Sequence, residues 1–405
     1  MTRFASFRLA SLLALASLLA LASLLCPATG VAHELRPAVA DLTRVETTQE
    51  SGGGLGIALR VNVEALLAGI GVEHEDTDDS PQAVEYDTLR ALDPDVLRQR
   101  LDAFLPDLLD GLALVDEDGR RLDVTLSSAE LPAIGDVRVA RDSTLRLSAS
   151  IPPTSTSVTW SWREAFGPVI VRSENADGPD AFSVYLLPGD TSDPLPLGPA
   201  GGEAVAVAAG DGPGAGRSAP PGTFGNYVRV GFVHIVPLGL DHILFVIGLF
   251  LLAPRAGPIL WQVTTFTLAH SITLALATLG FVRVSAGIVE PLIALSIVAI
   301  CVENLLTTRL HRWRLAVVFG FGLLHGLGFA SVLQDVGGSA TAFLTTLIAF
   351  NVGVELGQLL VVALCFACVG WWFRDKPWYR RFITVPASLA IGATGLFWFV
   401  QRAFG

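Results

Sequence analysis

The chain has 405 residues, of which 51% are hydrophobic and 16% are charged, and its mean hydropathy is +0.55. This balance excludes a wholly soluble protein and indicates a membrane protein that also carries a soluble portion. The formal net charge of −11 argues against nucleic acid as a partner.

The first 32 residues have the pattern of a secretory signal peptide. Arg3 and Arg8 form a positive region, Leu9 to Leu25 is an apolar core, and the small residues Gly30 and Ala32 precede a cleavage position. Cleavage there leaves His33 at the mature N-terminus. A free N-terminal amine beside an imidazole chelates copper or nickel, so His33 is a candidate periplasmic metal ligand.

Residues 33–190 alternate apolar and polar side chains in the way of half-buried strands. One segment differs, because it opens at Asp93-Pro94-Asp95 and then repeats apolar residues at helical spacing. We therefore predict an all-β, Ig-like sandwich with a helical insertion as the exported domain. The predicted strands include Gly56–Val63, Arg121–Leu126, Thr144–Ile151, Ser157–Trp162 and Ala181–Leu187.

The predicted exported domain is strongly acidic. From His33 to Tyr227 there are 32 Asp and Glu against 14 Arg and no Lys, which leaves −18. Such a field gathers cations near the membrane and repels nucleic acid. Its densest run, Glu73 to Asp79, is either a solvated acidic loop or a weak metal-collecting loop. Residues 191–225 are rich in Pro and Gly and are predicted to be a flexible linker.

Residues 226–405 form the predicted membrane domain, an α-helical bundle of six spans. Basic residues are concentrated in the first, third and fifth loops, which predicts that these loops are cytoplasmic. The chain is therefore expected to be a multi-pass protein of a bacterial inner membrane, with its N-terminal domain and C-terminus in the periplasm. The predicted spans are 229–252, 259–280, 286–306, 315–333, 341–369 and 383–402.

The first span carries His234, Asp241 and His242 in an otherwise apolar stretch. A carboxylate at membrane depth costs ~2.5–3.5 kcal/mol on insertion scales, so it usually faces the bundle interior and has a function. On a continuous helix, His234 and Asp241 would share a face, while Pro237 and Gly239 would loosen that helix. Imidazole and carboxylate are ligands for transition metals. A polar helix contact and a proton relay are the alternatives.

Other predicted spans contain polar residues of the same kinds. His270 lies in the second span and His325 in the fourth, where Gly322 and Gly326 permit close helix approach. Together with the first span, these residues predict a cation site or path. The candidate metal ligands are His234, Asp241, His242, His270 and His325. The candidate pathway residues are Ser271, Glu303, Asn304, Asn351, Glu355 and Gln358.

Three motifs appear in order: GFVHIVPLGLDHILFVIGL, FTLAHSITLALATLG and FGLLHGLGFA. With the start AHELRPA, they resemble the HupE/UreJ family, in the branch with a large exported N-terminal domain, and more distantly the nickel/cobalt permeases. The resemblance implies a permease for nickel or a related metal that serves metalloenzyme maturation proteins. The resemblance implies that Asp241, His242, His270 and His325 are metal ligands. The family's first motif usually has His-Pro and five residues before Asp-His, whereas six residues separate His234 from Asp241.

The sequence therefore predicts a permease, not an enzyme, that imports a divalent transition metal from periplasm to cytoplasm. Nickel is the favoured substrate, cobalt, zinc and copper are alternatives, and no organic cofactor is expected. An intramembrane hydrolase, with zinc held by Asp241, His242, His270 and His325, is one alternative function. A non-transporting membrane-anchored partner or metallochaperone in metalloenzyme maturation is the other.

Overall fold

The computed structural model describes residues 36–45, 53–70, 80–135, 140–175, 178–197, 223–311, 313–328 and 340–404. The predicted signal peptide, His33, the Glu73–Asp79 loop and most of the predicted linker lie outside the described residues. The chain forms two compact units. Of the described residues, one unit holds those up to Val230 together with 340–349, and the other holds those from Gly231 to 328 and from Phe350 onward.

The N-terminal unit is built mainly from β-strands, with three helices between β2 and β3. The strands are β1 Ala38–Val45, β2 Gly53–Val61, β3 Leu112–Asp116, β4 Val124–Glu130, β5 Ser143–Ile151, β6 Ser157–Trp162, β7 Val169–Asn175, β8 Gly178–Leu186 and β9 Leu195–Pro196, and the helices are α1 Val63–Ala68, α2 Ala83–Arg90 and α3 Pro94–Gly111.

Two sheets are formed from these strands. The larger has the order β4-β5-β2-β1-β7-β8, in which β1 and β7 are parallel and the other neighbours are antiparallel. The smaller has the order β3-β6-β9. The β-sheet region and its helical insertion are thus confirmed, while the Ig-like topology stays a prediction.

Several predicted strand boundaries differ from the structure, as at β4, which runs from Val124 to Glu130 where Arg121–Leu126 was predicted. The end of β2 has a clear physical cause. The strand expected to end at Val63 ends at Val61, and Val63 is the first residue of α1. The Asn62 side chain accepts a hydrogen bond of 3.1 Å from the Ala65 backbone N–H. Asparagine is among the best helix N-caps because it satisfies such an N–H, and this cap overrides the alternating pattern.

Both sheets and α3 contribute to one hydrophobic core. Leu97, Leu101 and Leu108 of α3 are fully buried, as their helical spacing predicts. They join strand side chains that include Trp160 and Trp162. Burial of this apolar surface, at about 25 cal/mol per Å², is the main force that holds the unit together.

The C-terminal part of the chain is helical. Its helices are α4 Thr223–Ile235, α5 Leu240–Leu252, α6 Ala256–Thr278, α7 Ala286–Leu306, α8 Arg314–Gly328, α9 Ala340–Cys365, α10 Trp371–Phe373 and α11 Val385–Phe404, with π-helical segments at Phe366–Gly370 and Arg380–Thr384.

In the described part of the chain, four helical segments are long and apolar enough to cross a membrane, and a bent pair would make a fifth. The predicted first span is this pair rather than one helix, because its two parts, Phe224–Ile235 and Leu240–Leu252, meet at 71°. The predicted fourth span, 315–333, corresponds to α8, and only its part up to Gly328 lies within the described residues. A helical membrane region is confirmed, whereas the count of six spans is not.

Glycines allow helices of this region to pack closely. A Cβ added at Gly322 would overlap the Phe266 carbonyl oxygen, and one at Gly326 would overlap that of His270. The predicted close approach around His325 is therefore confirmed, and its partner is α6. This packing holds His325 next to the helix that carries His270.

Candidate metal centre

Three histidines from three helices converge in the helical unit. His234 comes from the end of α4, His242 from the first turn of α5 and His270 from α6. Each offers one ring nitrogen, and these nitrogens lie within 4.8 Å of one another. His242 and His270 are 3% and 0% exposed. Three imidazoles that leave a position open are a donor set suited to a divalent transition metal.

The break between α4 and α5 brings the first two histidines together. The sequence argument that His234 and Asp241 share one face of a continuous helix is wrong, because α4 ends at Ile235. Pro237 has no backbone N–H to continue the helix. A Cβ at Gly239 would overlap the His234 carbonyl oxygen, so the chain folds back tightly here. The rings of His234 and His242 are consequently 4.9 Å apart at their centroids.

Asp241 contacts His242 directly. Its Oδ1 accepts hydrogen bonds from the His242 backbone N–H at 2.7 Å and from Nδ1 at 2.9 Å. An ionised carboxylate only accepts, so Nδ1 carries the proton and Nε2 of the neutral ring keeps its lone pair. That Nε2 is buried and has no hydrogen-bond partner among the described residues. Asp241 is thus placed to orient a ligand, and the three-histidine group does not include it.

His325 lies beside this group. Its Nδ1 donates to the Phe321 carbonyl oxygen at 2.8 Å, which again leaves Nε2 with the lone pair. The His325 Nε2 is buried without a hydrogen-bond partner in the described part of the chain. Its ring centroid is 4.9 Å from that of His242. The structure therefore brings His325 next to His242, outside the group of three.

Phenylalanines enclose the histidines. Phe266 and Phe245 contact the His325 ring at centroid distances of 4.9 and 5.4 Å. Phe350 stacks on His270 at 6.4 Å. An apolar enclosure keeps water away, so a cation here would interact with the imidazoles more strongly than in solution.

A polar stripe on α9, formed by Asn351, Glu355 and Gln358, faces α6. The Thr264 hydroxyl donates to Glu355 Oε1 at 2.7 Å, and the Thr267 hydroxyl donates to Gln358 Oε1 at 3.0 Å. Thr264 is six residues before His270, about 9 Å along the helix, so the polar contacts continue away from the histidines. Asn351 is the stripe's residue nearest the α9 N-terminus.

Ser271, a predicted pathway residue, uses its hydroxyl within its own helix. It donates to the Thr267 carbonyl oxygen at 2.7 Å. This bond is the common back-bonding arrangement of a serine in a helix. The Ser271 side chain makes no other hydrogen bond among the described residues.

Residues 215–402 match the family model described as HupE / UreJ protein. The resemblance seen in the motifs is confirmed for this C-terminal region, which contains the candidate metal centre and the polar stripe. Neither the comparison with curated proteins nor the comparison with solved structures gave a match. All nine strands of the described N-terminal region, which end at Pro196, lie outside the HupE/UreJ match.

A second polar cluster lies within the HupE/UreJ region, centred on Arg314. Arg314 lies at the end of the predicted third loop and is the first residue of α8, and its side chain is only 1% exposed. Arg314 donates to Glu303 at 2.7 Å and to Gln262 at 2.7 Å. The other basic residues of the predicted cytoplasmic loops still outnumber those on the opposite side.

Glu303 and Asn304, both predicted pathway residues, belong to this second cluster and have no hydrogen bond to the histidines among the described residues. The Asn304 side chain donates to the Gly248 carbonyl oxygen at 2.8 Å and contacts Ser388 at 3.3 Å. The cluster joins α5, α6, α7, α8 and α11. The sequence signal that could have revealed it was Gln262, an amide inside an apolar helix, which requires a buried partner.

Proposed function

We propose that this protein is a permease that imports a divalent transition metal across the membrane. The HupE/UreJ match supports a membrane protein related to metal transport, which fits the helical membrane region. The observation that carries the proposal is the group of three ring nitrogens within 4.8 Å of one another. Imidazole suits nickel, cobalt, zinc and copper, and nickel is the substrate that the family favours.

The position of the site suits a substrate that must be released. His234 and His242 lie on either side of a helix break, where unwound backbone lines a cavity in transporters. A change in the 71° bend would separate these two ligands while His270 stays on α6. Loss of one ligand weakens the site and lets the ion move toward the polar stripe of α9.

Membrane potential can drive the import. No GxxxxGK[ST] sequence for ATP binding occurs in the chain. Movement of a divalent cation down a potential of 100 mV is favourable by about 4.6 kcal/mol of free energy. The acidic exported domain, with its excess of carboxylates, would gather the ion on the outer side.

Flux measurements with the full-length protein test the proposal. The protein is reconstituted in liposomes that contain a nickel-sensitive dye, and a potential that is negative inside is imposed. We expect wild-type uptake to saturate with nickel and His270→Ala to abolish it. The matched control is His311→Ala, since His311 lies outside the three-histidine group. Equal flux in wild type and His270→Ala, with both proteins folded, would refute the proposal.

A further inference from the structure

A cationic cavity lies at the end of the helices where the α5–α6, α7–α8 and α10–α11 connections meet. Its volume is about 160 Å³. Arg255, Arg374 and Arg380 line it, together with Asp375. Three guanidinium groups against one carboxylate leave this wall with a net positive charge.

Arg380 is a fixed part of the cavity wall. It donates from Nη1 to the carbonyl oxygens of Asn304 and Thr307 at 2.9 and 2.8 Å, and from Nη2 to that of Leu305 at 2.8 Å. An arginine in this position satisfies the free carbonyls at the end of α7. Its charge is held in place without a carboxylate partner among the described residues.

Arg255 and Arg374 are the adjustable cations. Both are exposed, and Arg255 forms no ion pair within the described residues. Arg374 contacts the exposed Asp375 at 3.3 Å, a surface pair of the kind that contributes ~0–1 kcal/mol. These two guanidinium groups can therefore turn toward an anion at little cost.

The cavity lies at the boundary of the apolar helices. It is formed where α5 ends at Leu252 and α6 begins at Ala256. The segment Phe343–Phe373 ends here too, and the segment Arg380–Phe404 begins here. Such ends lie at the level of lipid headgroups. Exposed aromatic side chains flank them, as in the aromatic belts of membrane proteins. These are Trp371, Trp372, Trp378 and Phe382.

We propose that this cavity binds a phosphate group, and its position favours the headgroup of an anionic phospholipid as the source. Arginine recognises phosphate with paired N–H donors, and basic pockets between membrane helices bind anionic headgroups. The hydroxyls of Thr308 and Tyr379 line the same cavity as further donors. Burial raises the pKa of Tyr379 to about 12, so its hydroxyl keeps the proton that it would donate.

Native mass spectrometry of the full-length protein in detergent tests this site. We expect retention of phosphatidylglycerol over phosphatidylcholine, and loss of that preference by about 30-fold in Arg255→Gln/Arg374→Gln. Arg381→Gln is the matched control, because Arg381 is an exposed neighbour that does not line the cavity. Arg255→Lys/Arg374→Lys keeps the charge and should retain part of the preference, which separates lost charge from misfolding.

A second arm uses inorganic phosphate to identify the source of the group. If a headgroup occupies the cavity, millimolar phosphate leaves the retained phosphatidylglycerol in place. If free phosphate is the ligand, it binds saturably and Arg255→Gln/Arg374→Gln abolishes that binding. Equal retention of both lipids, with no phosphate binding, would overturn the proposal, as would equal losses in the glutamine variant and Arg381→Gln.

Discussion

Asp241 and His242 are neighbours in sequence, and the Asp241 carboxylate accepts a hydrogen bond from the His242 ring Nδ1–H at 2.9 Å. The same Oδ1 also receives the His242 backbone N–H at 2.7 Å. These two bonds fix the orientation of the imidazole, and its Nε2 has no hydrogen-bond partner among the described residues. Carboxylates that hold a metal-binding histidine in this way raise its basicity and fix its tautomer. The structure thus favours a positioning role for Asp241, where the sequence predicted a ligand.

The first prediction separates these two roles. Asp241→Asn keeps the shape and an accepting oxygen but removes the charge. We expect nickel affinity to fall by ~10–100-fold, the loss typical of a partner that orients a ligand. Titration calorimetry on purified protein measures it, with His242→Ala for comparison. A loss as large as that of His242→Ala would show that Asp241 binds the metal itself.

The second prediction concerns the three histidines as a unit. Removal of any one of His234, His242 or His270 leaves an incomplete donor set. We expect each Ala variant to lose more than ~100-fold in affinity, and double variants to be little worse than singles, because the ligands are coupled. Competition binding with a metal dye measures these losses. Small, additive losses would mean that the three rings do not form one site.

The same site should respond to pH in a defined direction. Protons and metal compete for the same ring lone pairs, so affinity should fall as pH is lowered. The control His311→Ala should show the same profile as wild type. Affinity that rises as pH is lowered would argue against histidine ligands.

The sequence predicted the elements better than the geometry that joins them. Alternation in Ser157–Trp162 and helical spacing in Leu97, Leu101 and Leu108 gave the right elements, because those patterns reflect burial in each element by itself. The bend at Pro237 was not predicted, since a proline can kink a helix or end it, and packing decides which.

The pairing of Arg314 with Glu303 shows a second limit. A basic residue just before an apolar segment usually belongs to a loop and follows the positive-inside rule. Arg314 is instead buried in the bundle, where Gln262 and Glu303 from other helices accept hydrogen bonds from its Nε and Nη1. Contacts between residues far apart in the chain cannot be read from periodicity. For the histidines, by contrast, the rarity of imidazole at membrane depth was enough to predict that they lie close together.

The fourth prediction concerns Glu355 in the polar stripe. Its Oε1 accepts from Thr264, while its buried Oε2 has no hydrogen-bond partner in the described part of the chain. A carboxylate oxygen of this kind is available to a passing cation. Glu355→Gln keeps the shape and removes the charge, so nickel uptake in liposomes should slow while the protein stays folded. Thr264→Val, the control, keeps the charge and should retain most of the flux. Wild-type flux in Glu355→Gln would show that the stripe contributes to helix packing and not to transport.

The last prediction concerns the buried pair Arg314 and Glu303. At 2.7 Å in the bundle interior, each compensates the charge of the other, and removal of one leaves a buried charge alone. We expect Arg314→Met and Glu303→Gln each to lower the free energy of unfolding by ~3–5 kcal/mol. The double variant has no unpaired charge and should be more stable than either single one. Thermal unfolding in detergent measures all three, and Arg309→Gln, at an exposed position, should stay within about 0.5 kcal/mol of wild type. Additive losses in the double variant would show that Arg314 acts through Gln262 and the surrounding packing rather than through Glu303.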